Sequence, residues 1–60
     1  MTVTEMNAAI AQALGCTVSE VTDDDQKVWI AALRYAAEIA TPLGTDRVLR
    51  ELADALEQQR

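Results

Sequence analysis

The chain has 60 residues, enough for one small domain over residues 1–60, and half of them are hydrophobic. Ten acidic and five basic side chains give a net charge of −5, which disfavours contact with nucleic acid or an anionic membrane. One cysteine and no histidine exclude an internal disulfide and the usual zinc ligands, so we expect neither a metal nor another cofactor.

The first predicted element is a helix from about residue 3 to residue 14. Thr2 and Glu5 have the spacing of a capping box, in which each side chain bonds the other residue's backbone N–H. Apolar residues then recur at helical intervals until Gly15, which readily takes the left-handed conformation that ends helices. These apolar residues are Val3, Met6, Ile10, Ala13 and Leu14.

A short helical turn is predicted next, over about residues 17–22. Thr17 and Glu20 have the spacing of a second capping box. Val18 and Val21 lie three residues apart, which places them on one side of a single turn. This segment therefore predicts a helical connection between longer helices.

The central element is predicted to be a long helix that begins after Thr22. The acidic run Asp23–Asp25 places hydrogen-bond acceptors and negative charge where a helix exposes unpaired N–H groups. Pro42 disfavours helical geometry at the residue before it, so the helix should end at about Ala40 or Thr41.

The last predicted element is a helix with Thr45 as its cap and Asp46 as an acidic residue in its first turn. Its apolar side should consist of Val48, Leu49, Leu52, Ala53 and Leu56. No strand pattern is present, so the predicted fold class is all-α: a small three-helix domain with an extra short turn near residues 17–22.

The central helix also carries the signal for association. Its polar residues form a narrow stripe and the rest is apolar, so we expect it to be buried on most sides. Two short flanking helices would leave part of that surface uncovered, and a 60-residue core is thin. The sequence therefore predicts a homo-oligomer, most simply a dimer. The candidate partner-binding residues are Trp29, Leu33, Ala36 and Ala40, together with Asp23, Asp24 and Asp25.

One local pattern resembles the helix-turn-helix of many bacterial repressors. Ala11, Gly15 and Val21 have its spacing, and the resemblance implies that the helix after the turn enters the major groove of DNA. The sequence departs from the family at Asp24, where a core hydrophobe is expected. The second helix would also carry Glu20 and Asp23–Asp25, the opposite charge to the one that phosphate contacts require.

A second pattern resembles acyl carrier domains, whose first helix commonly ends in a pair like Leu14-Gly15 followed by a segment like Val21–Asp24. The last helix, Arg47–Leu56, is also similar to theirs, and the resemblance implies a comparable packing of helices. The serine that receives the phosphopantetheine arm lies in an Asp-Ser-Leu motif in that family. The single serine here, Ser19, lies in Thr-Val-Ser-Glu, so carrier activity is excluded.

The sequence offers little for catalysis. No histidine can act as a base, and no base or cation neighbours Cys16, which therefore has the character of an inert thiol. We expect no enzyme activity. The leading hypothesis is a small acidic protein-interaction module, a regulator, adaptor or inhibitor in the cytoplasm that self-associates. The alternative is a minimal helix-turn-helix-like DNA-binding regulator.

Overall fold

The structure, a computed structural model, describes residues 1–60 and consists of three α-helices and two short 3₁₀ turns. The helices are α1 (Val3–Leu14), α2 (Asp23–Ala40) and α3 (Asp46–Gln59). The 3₁₀ turns span Val18–Glu20 and Thr41–Leu43. The predicted all-α, three-helix fold is confirmed, including the extra turn between the first two helices.

Local hydrogen bonds begin the first two helices as the sequence predicts. The hydroxyl of Thr2 accepts from the backbone N–H of Glu5, and the Glu5 carboxylate accepts from the N–H of Thr2. Thr22 and Asp25 form the same reciprocal pair at the start of α2, with N···O distances of 3.2 and 2.9 Å. These bonds satisfy N–H groups that a helix start otherwise leaves free.

The predicted cap of α3 is wrong. Thr45 immediately precedes the helix, but its side chain makes no hydrogen bond to the first turn. Its backbone is already helical, with φ −90° and ψ −5°, whereas a capping residue has extended backbone. The turn before it places Gly44 in the left-handed conformation, at φ 78°. The chain therefore enters α3 without the geometry that a threonine cap needs.

The core lies where all three helices meet. Its five central side chains come from every helix: Met6, Ile10, Ile30, Ala53 and Leu56. Partly buried apolar residues pack around them: Val3, Val21, Trp29, Leu33 and Leu52. The predicted apolar side of α3 is confirmed except at Val48, which is exposed.

Polar contacts show how the helices are arranged. A guanidinium nitrogen of Arg34 lies 3.0 Å from a carboxylate oxygen of Asp54, and Arg60 bonds Asp23, so α2 and α3 run antiparallel. The side-chain amide of Gln26 donates to Asn7 at 2.7 Å and joins α2 to α1. With α1 and α3 on its inner side, the opposite side of α2 is left without a neighbour.

None of the helices combines the length and the apolar content that crossing a bilayer would require.

Candidate functional site

The uncovered side of α2 carries a continuous row of apolar side chains. Val28, Tyr35 and Ile39 are 68, 66 and 65% exposed, and Ala32, also exposed, lies between them. We call these four residues the outer strip. At about 100° per residue, their spacing of four, three and four residues keeps them on one side over three turns. That side is about half a turn away from the buried Ile30 and Ala37, so the outer strip faces away from the core.

An open apolar cavity of about 220 Å³, which we call the groove, lies beside the outer strip between α1 and α2. Its lining residues are Ile10, Ala13, Leu14, Asp25, Val28, Trp29 and Ala32. Asp25 is the only polar member, and its carboxylate already accepts the N–H of Thr22. Val28 and Ala32 belong to both the groove and the outer strip, so the two form one continuous apolar surface.

Trp29 forms part of the groove wall and packs against the core. Its indole Nε1 is buried and has no hydrogen-bond partner. A buried unpaired donor costs about 1–3 kcal/mol. Because this atom is closed off from solvent, a group that enters the groove meets the apolar part of the indole. At Trp29 the groove therefore presents an apolar surface.

The predicted apolar partner-binding residues do not form one exposed surface. Trp29 and Leu33 are half-buried and pack against the core, and Ala36 and Ala40 are half-buried as well. In the single chain α2 is not buried on most sides, because the outer strip is exposed; two short flanking helices leave part of its apolar surface uncovered, as the sequence predicted. The three large residues of that strip were absent from the predicted set. Because nearly every side of α2 is apolar, the sequence held no signal that singled out these three residues.

The acidic run at the start of α2 has mainly structural contacts. Asp23 pairs with Arg60 and with Lys27, whose Nζ lies 3.2 Å from its carboxylate. These two cations, Arg60 foremost, hold the pKa of Asp23 below its ordinary value. Asp25 caps the helix through Thr22. Asp24 is exposed and makes no side-chain hydrogen bond or ion pair, so it is the one member of the run without an intramolecular contact.

A second depression, polar and about 340 Å³ in volume, lies between α2 and α3. It is lined by Arg34, Glu38, Arg50 and Asp54, two cations and two anions. The Arg34–Asp54 pair already joins the two helices across it. These four charges sum to zero, but Arg34–Asp54 is the one ion pair among them, and Glu38 and Arg50 make no ion pair.

The residues that resemble a helix-turn-helix adopt a different geometry. Gly15 ends α1 in the left-handed conformation, at φ 72°. Val21 and Thr22 are extended, so the segment from Glu20 to Lys27 is not one helix. A recognition helix must be continuous where it lies in the major groove. The structure therefore adds no support to the DNA-binding alternative.

No group of three or more cysteine, aspartate or glutamate side chains is arranged to hold a metal ion. Cys16 is a free, half-buried thiol.

Comparisons with models of known protein families, with curated proteins and with solved structures found no match to this chain.

Proposed function

We propose that this chain is a protein-interaction module, a small regulator, adaptor or inhibitor, that binds a protein through the outer strip and the groove. The observation that carries the proposal is the continuous apolar side of α2, whose three large side chains are each about two-thirds exposed. Contiguous exposed apolar surface marks interaction sites, because leaving it in water is unfavourable.

The shape and charge of this surface favour a helical protein partner. Apolar residues spaced alternately by four and three residues are typical of a helix that packs lengthwise against another helix. The net charge of −5 disfavours anionic membranes and nucleic acids as partners. A partner helix lying along the outer strip would also cover the groove, because Val28 and Ala32 contribute to both.

Site-specific photocrosslinking tests the proposal. A benzophenone amino acid replaces Tyr35 in one variant and Val48 in another, and each is irradiated in the cells of origin. The two side chains are matched in exposure, at 66 and 65%, but Val48 lies on α3, whereas the outer strip lies on α2. We expect a discrete protein adduct from position 35 and none from position 48. Equal adducts from both positions, or none from position 35, would refute the proposal.

A further inference from the structure

We infer that the partner on the outer strip is a second copy of this chain, bound as a two-fold pair of antiparallel α2 helices. In this arrangement Ile39 of each copy covers the groove of the other. The inference rests on the proposed function, because it names the occupant of the same surface.

The outer strip is complementary in size to itself when a second copy runs antiparallel. A two-fold axis between residues 33 and 34 places Ala32 opposite the partner's Tyr35 and Val28 opposite the partner's Ile39. The largest side chain of the strip then packs on the smallest, and this contact occurs twice. A parallel pair would place Tyr35 against Tyr35 and alanine against alanine, a crowded contact beside a gap.

The same register brings an apolar side chain to the groove. Val28 lines the groove, and the partner's Ile39 lies opposite Val28, at the groove mouth. An apolar cavity of about 150 Å³ is large enough to bind benzene. The groove, at about 220 Å³, therefore accommodates the four carbons of an isoleucine side chain. Ile39 is 65% exposed in the single chain, so its burial in the groove would remove apolar surface from water on both copies.

Charges beside the outer strip also fit a second copy. Glu38 makes no ion pair within the chain. In the antiparallel register it lies opposite the partner's residue 29, two residues along α2 from the partner's Lys27. Glu38 and Lys27 lie on the same side of α2, so the two-fold axis brings them to the same edge of the interface. Lys27 is exposed, and its one intramolecular partner, Asp23, is also neutralised by Arg60. Lys27 can therefore bind the partner's Glu38 without leaving Asp23 unpaired.

The apolar surface that a second copy would cover extends over two helices. A stable interface covers about 800 Å² of each partner, roughly a fifth of the 4119 Å² of accessible surface on this chain. The four side chains of the outer strip extend over three turns of α2, and the groove continues the apolar surface onto α1. Leu14, which is 61% exposed at the groove wall, adds to that continuation.

Sedimentation equilibrium over a hundredfold concentration range tests the occupant. We expect the wild-type chain to show a monomer–dimer equilibrium with a dissociation constant on the order of micromolar. Tyr35→Glu should raise that constant at least tenfold, and the matched control Val48→Glu should leave it within threefold. Both positions are exposed, so circular dichroism should show intact helices in both variants. A wild-type chain that stays monomeric to millimolar concentration, or equal effects of the two variants, would overturn the inference.

Disulfide trapping tests the orientation. In a Cys16→Ser background, copies carrying Val28→Cys are mixed with copies carrying Ile39→Cys and oxidised. The antiparallel register predicts that the mixed pair forms a disulfide faster than either variant alone. Faster trapping within the separate variants would indicate a parallel pair and overturn the arrangement.

The adducts from position 35 separate failure of this inference from failure of the proposed function. An adduct with twice the mass of the chain supports both. An adduct to a different protein retains the proposed function and overturns the second copy. The absence of any adduct overturns both.

Discussion

Replacing Thr22 by alanine should destabilise the chain by about 1 kcal/mol, because Thr22 is the residue that caps the longest helix. Its hydroxyl accepts the backbone N–H of Asp25 at 3.2 Å, and alanine removes that acceptor. Typical threonine caps contribute about 0.5–2 kcal/mol. Thr22 is exposed, so water replaces the lost acceptor in the variant, and the cost should lie near the middle of that range.

The structure supplies a matched control in Thr45. This residue stands at the same position before α3, but its side chain makes no hydrogen bond to the helix. Thr45→Ala should therefore leave the free energy of unfolding unchanged within about 0.5 kcal/mol.

Thermal and urea unfolding, followed by circular dichroism, would measure both variants. A loss of 1 kcal/mol should lower the melting temperature by about 4–8 °C in a domain of this size. The substitutions are best made together with Tyr35→Glu, so that self-association does not contribute to the apparent stability. Equal melting temperatures for the Thr22 and Thr45 variants would refute the assignment of the cap.

Three further predictions concern the core, the response to acid and nucleic acid. Leu56→Ala should cost about 2–5 kcal/mol in urea unfolding, because Leu56 is fully buried where the three helices meet; a loss under 1 kcal/mol would contradict that packing. Hydrogen bonds from Thr2 and Arg60 hold the pKa values of Glu5 and Asp23 below their ordinary values. The contribution of these two ionised carboxylates to the free energy of unfolding should therefore be complete above about pH 5. It should fall as the pH drops through about 4 toward the lowered pKa values. Equal urea midpoints at pH 7 and pH 3 would argue against these contacts. Fluorescence anisotropy should detect no binding to duplex DNA at physiological salt, because the chain has five basic side chains against ten acidic ones; sub-micromolar affinity that weakens steeply with salt would reverse this expectation.

The sequence alone was sufficient for the fold class and for most helix boundaries, because those signals are local. A cap at Thr2 or Thr22 acts through backbone groups three residues away, and Gly15 ends a helix through its own backbone conformation. Thr45 was the exception. A threonine can cap only if its backbone is extended. At Thr45 the backbone conformation is set by the 3₁₀ turn that joins α2 to α3, and the path of that turn depends on how α2 and α3 pack.

The exposed side of α2 was decided by the tertiary structure. Nearly every side of this helix is apolar, so periodicity could not distinguish Trp29 and Leu33, which pack inward, from Val28 and Tyr35, which point to solvent. Burial is set by where α1 and α3 dock, through contacts between residues far apart in the chain. The sequence therefore determined that α2 has more apolar surface than two short helices can cover, and packing determined that the uncovered part is the outer strip.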